Sequence, residues 1–235
     1  MNYLLLMAGG VGNRVGAGVP KQFIQVFGKP IIAYTMQIFE QSPLIDGILL
    51  VCVKGFEDEL MQIVKEYGIS KVLKVVEGGK DYEHSIMNGV RGFENIASPE
   101  DVIMIHWAAA PFVTEDILED NIKVCEEKGN AISSCKAFVL YGKNNGDHAE
   151  GVIDRDSFLC MTAPHSFLFK NIQNLYKEAL QKNVFDYIEP HTTNIMAELG
   201  VPIFFSKGSQ TNIKITTKED VELFKGYVLL KQHSV

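Results

Sequence analysis

Cysteine is scarce in this chain, and no two of Cys52, Cys125, Cys135 and Cys160 stand in a C-x-x-C spacing. Zinc-ribbon and thioredoxin-type readings are thereby disfavoured, and isolated cysteines on apolar runs are expected as small core residues. Long apolar runs are also missing. The opening stretch, residues 1–7, is apolar but runs straight into glycines, without the basic flank of a signal peptide. Nothing approaches the roughly 18 apolar residues needed to span a bilayer, so a soluble, cytoplasmic protein is expected, with no membrane partner. Positive charge is in deficit as well. Lys and Arg total 22 against 29 Asp and Glu, a net charge of −7, and no Lys/Arg cluster offsets it, which excludes non-specific nucleic-acid binding. Two phosphate-binding fingerprints fail. Val15 stands where a third glycine would complete G-x-G-x-x-G after Gly10 and Gly12, and Gly28-Lys29 is followed by Pro30 instead of Ser or Thr, so neither the dinucleotide nor the P-loop pattern is met.

What is present is an alternation of short apolar runs and amphipathic stretches over 235 residues, a length one α/β domain commonly reaches. Residues 2–7, 48–53, 72–76, 102–106, 131–135 and 202–206 read as buried strands. Helices are expected from Pro30 onward, with Ile31, Tyr34, Thr35 and Ile38 on one face, and over 57–67, 85–95, 115–128, 167–182 and 192–199. Gly68 suits a C′ position, and Thr217 to Asp220 resembles a capping box with Asp in place of Glu. The expected architecture is a single domain spanning 1–235. It is α/β and doubly wound, with a mostly parallel sheet covered by helices on both faces, in Rossmann-like fashion. A polar stretch at 142–157 is expected to protrude as an arm covering about 136–160.

In such sheets ligands sit in the loop after the first strand. Here that loop is Ala8-Gly9-Gly10-Val11-Gly12-Asn13-Arg14, followed by Pro20-Lys21-Gln22. Glycines let a ligand approach backbone N–H groups. Arg14, as a planar fork, and Lys21, as a point charge, could grip phosphate oxygens; a tight turn carrying two solvated cations is the alternative.

These residues, with Gly28-Lys29-Pro30-Ile31, Gly78-Gly79, Ser85-Ile86-x-Asn88-Gly89, His106-Trp107-Ala108-Ala109-Ala110-Pro111-Phe112-Val113 and Asn212-Ile213-Lys214-Ile215-Thr216-Thr217-x-x-Asp220, resemble the IspD-type cytidylyltransferases, in order and over essentially the whole chain. The resemblance implies transfer of a cytidylyl group from CTP to a sugar or polyol phosphate with release of pyrophosphate, in isoprenoid or cell-wall polyol-phosphate supply. It implies Mg²⁺ as cofactor, a small phosphorylated acceptor as partner, and a homodimer formed through the arm. By the same resemblance Arg14, Lys21 and Lys214 are the catalytic cations that grip the triphosphate. Ala8, Gly9, Gly10, Gly12, Gly79 and Ser85 are implied to hold the nucleotide.

The acceptor half departs from the family pattern. Trp107 stands where an Asp helps hold Mg²⁺, Ala110 where an Arg meets the acceptor, and Thr211 where a second Asp often precedes Asn212. An Arg between the glycine pair and Ser85 is replaced by Tyr82 or a neighbour. Arg155 lies at the family's distance before Ala163-Pro164-His165 and is the candidate grip on the acceptor phosphate across a dimer interface; Trp107 and Ala110 are the other acceptor-site positions. The metal ligands are left open, with Asp81, Glu83 and His106 in the right motifs, although His106 equally suits a strand-end histidine satisfied by backbone. A nucleotide-binding homologue that has lost turnover is the second functional reading.

Overall fold

A computed structural model describes residues 1–10, 19–189 and 191–233; Gly12 and Arg14 lie outside them. In chain order the elements are β1 (Asn2–Ala8), a 3-10 turn Lys21–Phe23, β2 (Gln25–Val26), β3 (Lys29–Pro30), α1 (Ile31–Gln41), β4 (Gly47–Cys52), α2 (Glu57–Glu66), β5 (Val72–Glu77), α3 (Tyr82–Gly92), β6 (Val102–Trp107), α4 (Glu115–Lys128), β7 (Asn130–Lys136), β8 (Tyr141–Asn145), β9 (His148–Ile153), β10 (Leu159–Leu168), α5 (Phe169–Gln181), α6 (Thr192–Glu198), β11 (Phe205–Lys207) and α7 (Lys218–His233).

Seven strands form one sheet in the order β11-β7-β10-β6-β1-β4-β5. Strand β1 is parallel to both β4 and β6, and β4 is parallel to β5, whereas β10 runs antiparallel to β6 and β7. The chain leaves β1 toward β4 and β5, then crosses back to β6 on the other side. That reversal opens a crevice at the carboxyl ends of the parallel strands.

Alternation along β1 shows why the sheet is covered on both faces. Leu4, Leu6 and Ala8 pack with Ile32, Met36 and Phe39 of α1, Leu60 and Ile63 of α2, and Ile117 and Leu118 of α4. Tyr3, Leu5 and Met7 face the opposite cluster, with Ile86 and Val90 of α3, Ile172 and Tyr176 of α5, and Ile195 of α6. A third cluster joins Val26, Ile31, Ala109, Phe112 and Ile215 to Val221, Phe224 and Val228 of α7.

Several expected boundaries hold for physical reasons. Gly68 follows α2 with φ 63°, and Gly129 ends α4 in the left-handed region with φ 89°, as helix C-termini favour. The amide of Asp220 donates to Thr217 Oγ1 at 3.2 Å, while the Asp220 carboxylate accepts from Thr216 and Thr217 amides at 2.7 and 2.9 Å. Others differ. The 72–76 run is an edge strand with half its residues exposed, because β5 is the last strand of the sheet. Helix α1 is buried on more than one face, since Ile32, Met36 and Phe39 pack on the sheet while Ile31 packs with α7. Residues 159–168, which carry Pro164, form a central strand with a register break between Met161 and His165; the following helix begins at Phe169. Only Phe205–Lys207 of the last run pairs as a strand. The polar stretch forms the antiparallel hairpin β8–β9. Cys52 and Cys125 are buried, as expected of core residues, but Cys135 and Cys160 are half-buried and face one another across β7 and β10 at the root of the arm. Among the described residues no helix is long and apolar enough to cross a membrane.

Glu83 is 1% exposed. One of its carboxylate oxygens accepts from the Tyr176 hydroxyl, and that hydroxyl also lies 3.0 Å from Thr192. Burial pushes its acid up from 4.5 to about 7. An acid raised on folding favours the folded state at low pH, and that contribution is lost as pH climbs from 4.5 through about 7. Glu83→Gln should therefore gain stability over the wild type between pH 4.5 and pH 8, by on the order of 3 kcal/mol. Thermal unfolding at the two pH values checks this; a gap that stays constant with pH contradicts it.

Candidate active site

A cavity of about 680 Å³ opens at the carboxyl ends of β1, β4, β5 and β6, a size that suits a small-molecule site. Its wall is built from segments far apart in sequence: Gly9 and Gly10 after β1, Lys21, the 77–82 turn into α3, Trp107 at the end of β6, and Lys214.

The first wall is held by the short turn at 21–23. Gln22, 2% exposed, sends its amide nitrogen to the carbonyls of Ala8 at 2.7 Å and Gly10 at 3.1 Å, which fixes the end of β1. With its neighbour's side chain turned inward, Lys21 reaches the cavity, and its ammonium donates to the Ile215 carbonyl at 2.7 Å. The amide of Ile215 in turn donates to Ala109 at 2.8 Å. The segment carrying Lys214 is thus docked onto both the 21–23 turn and the turn that follows β6.

The second wall is the turn from β5 to α3. Asp81 caps α3, accepting from the His84 amide at 2.8 Å and standing 2.7 Å from its ring nitrogen. Burial opposes ionisation of this carboxyl, but the His84 hydrogen bonds hold it below its ordinary value. Ser85 Oγ donates to the Asp81 carbonyl at 2.7 Å and accepts from the Gly79 amide at 2.9 Å. Its single proton is therefore committed within the turn, and toward a ligand it offers a lone pair.

The third wall is aromatic. The Trp107 indole nitrogen donates to the Tyr82 hydroxyl at 2.9 Å, and the Lys214 ammonium sits 4.5 Å from the Trp107 ring centre and 5.9 Å from that of Tyr82. His165 packs edge-on against Trp107 at 6.0 Å, and His191 lies 5.9 Å from Tyr82. Burial, and then the neighbouring His191, push His165 down to about 3, so it is neutral; burial and the Lys214 charge lower His191.

Of the residues named from sequence, Gly9, Gly10, Lys21, Gly79, Ser85, Trp107 and Lys214 line this cavity. Ala8 ends β1 with its carbonyl already taken by Gln22 and by the Val53 amide. Gly12 and Arg14 are outside the described residues. Ala110 does not meet the cavity: it is 1% exposed, and its carbonyl accepts from His106 Nε2 at 2.9 Å. His106 is fully buried, is not among the cavity-lining residues, and has its Nε2 taken by the Ala110 carbonyl, so it sits as a core histidine. Glu83 faces Tyr176, away from the cavity. Arg155 lies on the exposed arm, donating to the Phe138 carbonyl at 3.5 Å, and does not line the cavity of its own chain. Sequence reasoning missed the buried Gln22 and the pairing of Tyr82 with Trp107. The first was visible as part of Pro20-Lys21-Gln22, whereas the second joins positions 25 apart that only the fold brings together.

A Mg²⁺ ion prefers several carboxylate or phosphate oxygens. The carboxylates lining the cavity are Glu77 and Asp81. Glu77 pairs with Lys54 at 3.2 Å, and Asp81 caps α3. Among the described residues no group of three His, Cys, Asp or Glu side chains could hold a metal. Among the described residues, the two carboxylates present do not form a protein cage for Mg²⁺.

A family model described as IspD, 2-C-methyl-D-erythritol 4-phosphate cytidylyltransferase, matches residues 3–229. The chain belongs to this family. A ribitol-5-phosphate cytidylyltransferase from Lacticaseibacillus paracasei is 35% identical over 229 residues, covering 97% of this chain and 98% of that protein. A 2-C-methyl-D-erythritol 4-phosphate cytidylyltransferase from Clostridium acetobutylicum is 33% identical over 237 residues, covering 100% of both. The crystal structure of 4-diphosphocytidyl-2C-methyl-D-erythritol synthase from Anaerococcus prevotii aligns with a TM-score of 0.80 at 21% identity, covering 97% of this chain and 96% of that one; it shows that the IspD fold is shared.

Within this IspD fold Gly79 has a steric role. A Cβ built there would stand 2.4 Å from His84 Cβ and 2.6 Å from its carbonyl carbon. Gly79→Ala must therefore push the turn off the first turn of α3 and break the bond to Ser85. We expect KM for CTP to rise about tenfold or more, as loss of about 1.4 kcal/mol of binding would give; steady-state kinetics with an unchanged KM would contradict this role.

Proposed function

We propose that this chain transfers a cytidylyl group from CTP to the phosphate of a sugar or polyol. An oxygen of the acceptor phosphate attacks the α-phosphorus in line, the bond from that phosphorus to the bridging oxygen breaks, and pyrophosphate leaves. The convergence of Lys21 and Lys214 on one cavity, from opposite ends of the chain, carries this reading. Two ammonium groups there can meet the charge that spreads over the phosphate oxygens in such transfers, and Arg14 is the third cation of the proposed grip. The base lies against Gly9, Gly10, Gly79 and Ser85. Because Ser85 can only accept from a ligand, it suits the exocyclic amine of cytosine and not the carbonyl that uracil carries there.

The acceptor lies toward Trp107, and ribitol 5-phosphate is the first candidate, given the relatives that carry that name. The arm is the proposed dimer contact. It leaves Phe138, Leu140, Val152 and Phe158 exposed, and exposed apolar side chains grouped on one element suit an association site. Arg155 on the arm would then serve the partner's cavity and not its own. A cytoplasmic setting belongs to this reading, and the free thiols of all four cysteines suit it.

A second reading, a nucleotide-binding homologue without turnover, is favoured by one observation: the two carboxylates on the cavity are already engaged, Glu77 with Lys54 and Asp81 as the cap of α3, and Trp107 stands where the resemblance implies a metal-holding Asp. Pyrophosphate release from CTP separates the two. With ribitol 5-phosphate or 2-C-methyl-D-erythritol 4-phosphate as acceptor, the first reading expects acceptor-dependent release. It also expects Lys21→Ala to lower kcat/KM by roughly 10²–10³-fold, as loss of one charge-stabilising donor does. Release that is absent with both acceptors favours the second reading, and an unchanged kcat/KM in Lys21→Ala contradicts the role given to that lysine.

A further inference from the structure

Tyr82 has no role in the account so far, yet it is the hinge of the aromatic wall. It is the first residue of α3, Trp107 is the last of β6 and Lys214 lies in the segment before α7, so three independent elements bring these side chains together. The indole N–H bonded to the Tyr82 hydroxyl at 2.9 Å fixes the plane of the Trp107 ring. The Lys214 ammonium sits over that plane at 4.5 Å and near the Tyr82 ring at 5.9 Å, within the range of cation–π attraction. Behind the pair, His165 and His191 pack against the two rings at 6.0 and 5.9 Å, which leaves the rings little room to tilt. The backbone bond from Ile215 to Ala109 holds the lysine's own segment at the same height.

We infer that Tyr82 and Trp107 form an aromatic cradle that positions the Lys214 ammonium for the nucleotide's phosphates, with Tyr82 as a positioning residue that acts through Trp107. A ring face orients an ammonium without cancelling its charge, so the lysine meets an incoming anion already aimed. This inference rests on the nucleotidyl-transfer reading above.

Trp107 is the one tryptophan in the sequence, so fluorescence excited at the red edge, where tyrosine does not absorb, reports this wall alone. Tyr82→Phe keeps the ring and removes the acceptor of the indole N–H. It should shift the Trp107 emission maximum and lower kcat/KM for CTP, with the melting temperature held. Trp107→Phe and Trp107→Leu both lose the N–H, but only the leucine lacks a ring face. The cradle predicts that Leu lowers kcat/KM for CTP about tenfold more than Phe, and that both raise KM more than they lower kcat. Unchanged emission in Tyr82→Phe, or equal losses in the two Trp107 variants, would overturn the cradle while leaving the transfer reading in place. A wild-type protein whose emission and pyrophosphate release both ignore CTP would overturn the transfer reading, and the cradle with it.

Discussion

One residue, Ile215, ties the two ends of the chain into a single site. Its N–H donates to Ala109 and its carbonyl accepts from the Lys21 ammonium, while its side chain is fully buried among Val26, Ile31, Ala109 and Phe112. The apolar contact supplies the anchoring energy, of the order of 2 kcal/mol for such a side chain. The two hydrogen bonds convert that anchor into a defined orientation. Helix α7 completes the arrangement by packing Phe224 and Val228 into the same cluster. Lys214, one residue earlier, is thereby delivered to the same cavity as Lys21, 193 positions away in sequence.

This arrangement explains how an acidic chain can present a phosphate site. The net charge of −7 acts at long range and is screened within about 10 Å at ordinary salt. In the proposed reading a bound nucleotide meets local charge: the ammonium groups of Lys21 and Lys214, in a cavity that Lys54 and Lys80 also line, and backbone N–H groups near a turn rich in glycine. The carboxylates nearest the cavity are turned to structural tasks, Asp81 as the cap of α3 and Glu77 as the partner of Lys54. Cation–π attraction, typically ~0.5–2 kcal/mol, is enough to set the direction of a flexible lysine without competing with a phosphate for it.

Much of the fold was legible because its main signals are local. The β1, β4, β6 and β7 runs are short, apolar and bounded by turn residues, and α2, α4 and α7 carry caps that can be read from a few neighbouring residues. Strand β10 was hidden because Pro164 removes a donor from the ladder and so argues against a strand; the register break at that point accommodates it. The exposure of β5 could not be read either, since an edge position is a property of the sheet order and not of the segment. At the site, Lys21, Gly79, Ser85 and Lys214 were visible through the family's motifs. Ala110 was assigned by its motif position alone, and the fold turns it inward under His106. The Tyr82–Trp107 bond was invisible because no local pattern links a helix start to a strand end.

In the proposed reading Ser85 selects a cytosine nucleotide and Lys21 and Lys214 hold its phosphates, all three lining one cavity. The most direct test is thermal unfolding of the wild-type protein with CTP, UTP, ATP and GTP at equal concentration. CTP alone should raise the melting temperature appreciably, with UTP well behind it although its triphosphate is identical. Equal shifts from all four, or none from CTP, would contradict the account.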